Sequence, residues 1–295
     1  MKKIQVFGIV ALLVLVSSLL IFASTEDKKQ NKIGTAQYFP QQVDFAGEMA
    51  PLKIADVKER FDRELLVNAN LHSSTILILK RANRAFPVIE PILKQYGIPD
   101  DFKYLAVIES ALVNAVSPSG AKGVWQFMPD TAKEKGMEVN EGVDERYHLE
   151  KSTIAACKYL LTAKEKFGSW TLAAASYNGG MTGVNNKIIE QKVSDYYDLL
   201  LTDETSRYVF RILALKEIMK NPVLYGFDVS KYELYQNIPT KTVEVDSSIS
   251  DLATFAKTQG INYKILKIHN PWLRDKKLSN LSKKKYIIEI PTEGY

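Results

Sequence analysis

Cysteine and histidine are nearly absent from this chain. Among 295 residues Cys157 is the single cysteine, which excludes an internal disulfide and any multi-cysteine metal site. The three histidines, His72, His148 and His269, lie far apart and no HExxH or CxxC spacing occurs, so a zinc-hydrolase reading has no ligands. A strong excess of one charge is missing too. Lys+Arg 39 against Asp+Glu 34 leaves +5, too mild to argue for a nucleic-acid partner without a clustered basic patch. With 46% hydrophobic and 25% charged residues, disordered and fibrous classes are excluded. The chemistry must therefore come from carboxylates, hydroxyls and amides, with no metal or organic cofactor expected.

What the sequence does have, at its start, is a long apolar run. Met1-Lys2-Lys3 precedes twenty uncharged residues, Ile4 to Ala23. At about 1.5 Å per helical residue these span about 30 Å, the hydrocarbon thickness of a bilayer. The basic start keeps the N-terminus cytoplasmic and sends the remainder across. A cleaved signal peptide needs small residues before the cut, and Ile21-Phe22-Ala23-Ser24 is a poor match, so an uncleaved anchor is the expectation beside secretion after cleavage. Residues 25–51 are polar, with Glu26, Asp27, Lys28 and Lys29 clustered and no clear period, and read as a tether. Extended, it would reach roughly 80–90 Å.

From Leu52 to about Tyr225 helical signals dominate, with apolar residues at three-four spacing over 57–79, 83–96, 101–113, 151–167 and 203–220. Gly97-Ile98-Pro99 breaks the chain before the third, which Asp100 or Asp101 is expected to cap. In that helix Phe102, Leu105, Ala106, Glu109, Leu112 and Val113 follow i, i+3, i+4, i+7, i+10, i+11, so a glutamate sits in the middle of an apolar stripe. Burying a carboxylate costs several kcal/mol unless it is paired or neutral. Glu109 is therefore either a structural residue satisfied by a buried partner, or an acid whose pKa burial raises for proton donation. Periodicity does not choose between them.

Three further segments accompany it. The loop Ser117–Asp130 contains Gly120, Gly123, Trp125, Gln126, Phe127 and Met128, where Trp125 is either core or, with Gln126, a sugar subsite. The small-residue helix from Trp170 ends at Tyr177-Asn178-Gly179-Gly180, an ordinary C-cap or a site edge. The last helix opens with Thr202 and places Tyr208, Ile212, Leu215 and Met219 on one face.

In this order, over about residues 55–228, these segments resemble the lytic murein transglycosylases with a goose-lysozyme-like catalytic domain, in particular their membrane-bound D type. Glu109-Ser110 meets that family's Glu-Ser motif, and Gly123 to Ala132 its G-x-x-Q-x-M-P-x-T-A motif. Ala175-Ser176-Tyr177-Asn178-Gly179-Gly180 matches A-Y-N-x-G with Ser176 where Ala is usual. Glu204 to Val209 meets E-T-x-x-Y-V, and Asp144-Glu145-Arg146 an Asp-x-Arg element. The resemblance implies a lysozyme-like, all-helical catalytic lobe that cuts peptidoglycan glycan strands outside the cytoplasmic membrane, with Glu109 as acid and then base. Ser110 would hydrogen-bond near the cleaved bond. Gln126 and Met128 would line the cleft, Tyr177 and Asn178 would position the sugar, and Tyr208 would face Glu109. Ordinary glycosidases use two carboxylates. Here no second one is indicated (Asp130 and Asp144 are the nearest by motif), and one suffices if the substrate supplies the nucleophile. A scaffold that has lost turnover and a muramidase-type hydrolase are the alternatives.

Beyond Phe227 the signals are a strand-like stretch within 231–245, helices near 250–256 and 263–270, and a strand at Tyr286–Pro291. This β-α-α-β order, with Asn270-Pro271 after the second helix, is similar to a degenerate LysM module. Residues 241–295 hold ten Lys/Arg against six Asp/Glu, which suits an acidic wall polymer, although Lys283-Lys284-Lys285 is also what a solvated turn looks like. Wall binding and a purely structural cap both remain open. The expected organisation is mainly α: an anchor or signal peptide (1–24), a tether (25–51), a transglycosylase domain (52–228) and a small α+β LysM-like module (229–295).

Overall fold

The computed structural model describes residues 38–294. The expected anchor and residues 25–37 of the tether lie outside them. Among the described residues no helix is long and apolar enough to cross a membrane.

The described chain opens with a short hairpin, β1 (Asp44–Phe45) against β2 (Glu48–Met49), followed by α1 (Ala55–Asn70), α2 (His72–Gln95) and α3 (Lys103–Ser110). A second hairpin, β3 (Ala115–Val116) with β4 (Lys122–Gly123), leads to α4 (Pro129–Glu134). Then come α5 (Leu149–Phe167), α6 (Trp170–Gly179), α7 (Met181–Gln191) and α8 (Asp203–Lys220). The chain ends in β5 (Thr240–Val245), α9 (Leu252–Thr258), α10 (Tyr263–His269) and β6 (Tyr286–Pro291). The fold is mainly helical, as expected, with a terminal β-α-α-β unit.

Local chemistry sets several boundaries. Gly168, at φ 67°, stops α5, and Ser169 then caps α6 by accepting the Leu172 amide. Thr202 caps α8, whose first turn carries Asp203 and Glu204 and whose last carries Lys220, each sign at the helix end that favours it. The break expected near residues 80–82 is absent. The helix starting at His72 runs unbroken through Pro87 and Pro91, and the break falls at Leu71. Burial of Ala82, Ala85, Ile89 and Leu93 holds the helix together against two missing amide donors. Strand signal over 231–245 becomes strand only from Thr240. The preceding residues run along α2, where Tyr235 donates its amide to the Lys80 carbonyl and Asn83 donates to the Tyr235 carbonyl.

Two corrections bear on what positions the site. Residues 43–50 are not free tether, because Val43, Phe45 and Ala50 are buried and Phe45 packs edge-on against Phe102. Glu48 takes the amides of Trp170 (2.6 Å) and Thr171 (2.8 Å) at the start of α6. Burial alone would raise its pKa, but these donors hold it below the usual carboxylate range. Nor do Asp100 and Asp101 cap α3. Asp100 pairs with Lys103, and Asp101 accepts the Ala46 amide (2.7 Å) and the buried Lys216 ammonium (2.6 Å), clamping the hairpin between α3 and α8.

Helices α1, α3 and α6 pack on α8, and α5 bridges α2 and α6. Their shared core holds Trp125, Tyr196, Tyr208, Phe61, Phe102 and Phe210. A second cluster belongs to the terminal unit, where β5 and β6 pair antiparallel from Thr240↔Pro291 to Val245↔Tyr286 under α9 and α10. Val143 and Tyr147 of the helical lobe complete it. The Asp144 amide donates to the Trp272 carbonyl (2.9 Å) and the Arg274 amide to Gly142 (2.8 Å). Lys284, half-buried, pairs with Glu138 and Glu145, so this lysine is a docking contact and not part of a free basic turn. Trp272 lies stacked between His148 and Tyr286.

Replacing Lys216 with Ala strands the Asp101 carboxylate with only the Ala46 amide, and should cost about 3 kcal/mol by chemical denaturation. The double change Lys216→Met with Asp101→Asn should recover much of that loss.

Candidate active site

The glutamate expected in mid-stripe is in fact in the last turn of its helix. α3 ends at Ser110, and Ala111 (φ 52°) and Leu112 (φ 60°) both adopt left-handed backbone, so Leu112 and Val113 leave the helical stripe. Two consecutive non-glycine residues in that region cost energy that the surroundings must supply. Arg211 donates to the Ile108 carbonyl (3.1 Å) and Arg81 to the Ala111 carbonyl (3.2 Å), capping groups the terminated helix leaves open. The carboxylate thus sits at the negative end of a helix, which disfavours its ionised form.

Glu109 is partly buried and faces α8. The Tyr208 hydroxyl donates a short hydrogen bond to Glu109 Oε1, and no hydrogen bond among the described residues reaches Oε2. Burial raises the carboxyl pKa to about 7. The Tyr208 hydrogen bond and the Arg211 charge oppose the rise, and the Glu204 charge adds to it. Desolvation therefore wins over the partners: Glu109 is a half-protonated acid near neutrality with one oxygen free.

The loop that follows is built around a buried ion pair. Arg146 binds Asp144 through Nε (2.8 Å) and Nη2 (2.7 Å), and its Nη1 donates to the carbonyls of Gly120 and Phe127 (both 3.2 Å). Gly123, at φ 86°, lies so close to this element that a Cβ would stand 1.9 Å from the Arg146 carbonyl oxygen. Lys122 and Phe127 close the loop with reciprocal backbone bonds of 3.1 Å. Asp144 is thereby committed to structure.

Within this frame the expected site residues divide. Ser110 is buried and turns its hydroxyl to the Val124 carbonyl (2.8 Å), tying the Glu109 helix to the loop. Gln126, at φ 49°, folds its amide back onto the carbonyls of Gly123 (2.7 Å) and Ala115 (3.1 Å). Trp125 is fully buried, with its indole N–H on Thr153 (2.8 Å), which settles it as core and not a sugar platform. Tyr177 donates to the Trp125 carbonyl (2.8 Å) and feels the Glu109 charge. Asn178 joins α6 to α8, donating to Glu204 (2.9 Å) and accepting from Thr205 (2.7 Å). Met128 is exposed at the start of α4, with no contact that ties it to Glu109. Glu109, Tyr208 and Tyr177 are brought together, Ser110 and Gln126 support them from the loop, and Asn178 reaches the site through Glu204.

Two participants were given no role in the sequence, although Glu204 opens the E-T-x-x-Y-V match. Glu204 and Arg211 are four residues before and three after Tyr208, the helical spacing that puts all three on one side of α8. That spacing was the available signal.

Residues 87–200 match the family described as Transglycosylase SLT domain, and residues 241–294 match the Soluble lytic transglycosylase C-terminal LysM-like domain. Among curated proteins the chain is similar to Membrane-bound lytic murein transglycosylase D of Escherichia coli strain K12. The two are 29% identical over 220 residues, 72% of this chain and 47% of the relative. The protein of the same description in Escherichia coli O6:H1 matches to the same extent. The chain spans about half the length of the curated relatives it matches.

Because its pKa is raised, ionised Glu109 opposes folding. The penalty is absent below about pH 4.5, grows as pH rises and is complete above about 7, at up to about 3 kcal/mol. Glu109→Gln should therefore be more stable than the parent at pH 8 and equal to it at pH 4, by urea denaturation at each pH. Gly123→Ala should lose about 2–3 kcal/mol in the same measurement, since backbone and not a flexible side chain fills the space.

Proposed function

From a chain that carries a transglycosylase SLT domain followed by a LysM-like domain, we propose a peptidoglycan lytic transglycosylase that cleaves the bond between N-acetylmuramic acid and N-acetylglucosamine without water. The observation that carries this reading is Glu109, desolvated so that it holds its proton near neutrality and hydrogen-bonded by Tyr208 on one oxygen only.

The protonated Glu109 donates to the glycosidic oxygen, and the leaving sugar departs with its electron pair. The substrate's own N-acetyl oxygen stabilises the cationic anomeric carbon. Glu109, now a carboxylate, takes the proton of the C6 hydroxyl of the same muramic acid as that oxygen closes onto C1. The products are a 1,6-anhydro end and a free 4-hydroxyl, and Glu109 has its proton back. General acid–base catalysis of this kind contributes typically 10²–10⁴-fold. The Tyr208 hydrogen bond keeps Glu109 in one orientation through both transfers. Ser110 and Gln126 fix the loop beside it, Tyr177 and Asn178 position the sugar, and exposed Met128 lines the cleft. Glu204, with its charge near Glu109 and its oxygen on Asn178, helps keep Glu109 protonated and does not serve as a nucleophile. The chain works at the cell envelope on glycan strands, held to the cytoplasmic membrane by residues 4–23. The printed description of its relatives, which names murein and a membrane-bound protein, supports murein as the substrate and attachment to a membrane.

Full-length protein should release 1,6-anhydromuropeptides from murein sacculi, read by mass spectrometry. Glu109→Gln should lower the rate at least about 10²-fold while leaving sacculus binding measurable. Reducing-end products would replace this reading with a muramidase-type hydrolase, and binding without turnover would leave a scaffold. Since the donor is the neutral acid, the rate should fall as pH rises through about 7.

A further inference from the structure

The Asp144-Glu145-Arg146 element is gripped from two sides. On the side of the terminal unit, residues 272–274 lie antiparallel to residues 142–144. The Asp144 amide donates to the Trp272 carbonyl (2.9 Å) and the Arg274 amide to the Gly142 carbonyl (2.8 Å). Lys284 donates to Glu145 (3.0 Å) and to Glu138 (2.6 Å), and the Tyr286 hydroxyl donates to Glu138 (2.9 Å). Glu145 in turn accepts the Glu138 amide (2.8 Å), so one lysine draws both carboxylates together. Asp144, Glu145, Arg146 and Trp272 are all buried, where charge and polar contacts are screened little by solvent.

On the other side stands the loop beside Glu109. Arg146 holds the carbonyls of Gly120 and Phe127, and Gly123 lies against the Arg146 carbonyl. The Tyr147 ring is shared: the Arg274 guanidinium of the terminal unit lies 4.2 Å from its centroid, and the Lys122 ammonium of the loop 5.8 Å. The Tyr147 carbonyl accepts the side-chain amide of Asn114 (3.3 Å), just past the end of the Glu109 helix. The loop reaches the site through two further carbonyls. That of Val124 accepts from Ser110, next to Glu109, and that of Trp125 accepts from Tyr177, which feels the Glu109 charge. A continuous chain of contacts thus runs from Lys284 and Trp272 to two side chains beside Glu109. Close-packed interiors transmit displacement along such a chain instead of absorbing it.

We propose that Lys284 and Trp272 are positioning residues for the chemistry at Glu109: the docked terminal unit holds the 120–127 loop in its working place through Asp144, Glu145 and Arg146. The inference rests on the transglycosylase reading of Glu109. The terminal unit is then part of the catalytic apparatus, and undocking it slows the reaction even where the glycan still binds. The charged and titratable groups that act on Glu109 are Tyr208, Arg211 and Glu204 on α8, with Tyr177 on α6, and none belongs to the terminal unit. A loosened loop frees Ser110 and Tyr177, admits water beside the carboxyl and so lowers its pKa from about 7.

The test uses full-length protein with either of two changes in the terminal unit. Lys284→Met removes the ammonium but leaves Glu145 with Lys151 and the Glu138 amide, and Trp272→Ala alters no charge. On soluble murein glycan strands each should lower kcat about tenfold or more, with KM within about twofold of the parent. In carbon-13 NMR of labelled glutamate, with Glu109→Gln identifying the signal, the Glu109 midpoint should fall by about one pH unit in each. Lys284→Arg and Trp272→Phe, which keep the ion pairs and the stack, should restore both values. A raised KM at unchanged kcat would make the unit a wall-binding module and overturn the proposal. So would folded variants of an active parent that keep its kcat, or a Glu109 midpoint that stays at the parental value. A lowered midpoint in proteins that, parent included, release no 1,6-anhydro ends would uphold the positioning chain and sink the transglycosylase reading.

Discussion

The Asp144–Arg146 ion pair is the contact from which both halves of the structure are hung. It is almost fully buried, and it is tolerable there because each guanidinium nitrogen donates: Nε and Nη2 to the carboxylate, Nη1 to two loop carbonyls. Those carbonyls belong to the loop that holds Ser110 and Gln126 in place. The amide of Asp144 faces the other way and binds Trp272 of the terminal unit. One element therefore sets the loop beside Glu109 and the seat of the LysM-like domain at once. Gly123 is the price of that closeness, since no side chain fits between the loop and the Arg146 carbonyl.

Electrostatically the site is a balance in which burial prevails. Tyr208 and Arg211 both favour the charged form of Glu109, yet the carboxyl remains raised because desolvation, the end of α3 and Glu204 act against them. Among the described residues the Arg211 guanidinium makes no ion pair with Glu109; its Nη2 donates to the Ile108 carbonyl instead. A lysine or arginine in contact with Glu109 would abolish the neutral acid, and the fold keeps its cations one step away.

Much of this was legible in the residues. Helix α5 follows from apolar spacing and α8 from apolar spacing with a Thr202 start, the terminal β-α-α-β order from its turn signals, and the singular position of Glu109 from a carboxylate in an apolar stripe. The errors have local causes. Periodicity carried α3 on to Val113, whereas two left-handed residues end it at Ser110. Periodicity also broke the chain near residues 80–82, where core packing keeps one helix running from His72 through Pro87 and Pro91. Polar composition made residues 43–50 look like tether, although Phe45 and Glu48 anchor them through partners more than fifty residues away, which no local pattern reveals. Asp101 was read as a cap for the same reason: its partners, Ala46 and Lys216, are distant in sequence.

The sandwich of Trp272 between His148 and Tyr286 turns the junction into an optical gauge. Trp125 lies in the helical core and Trp170 at the start of α6, so each of the three indoles reports on a different neighbourhood. Only Trp272 has aromatic neighbours from both sides of the seam, His148 on one and Tyr286 on the other. Its emission is thus coupled to how tightly the two parts are closed, and a change in colour or brightness from that single ring would register their separation.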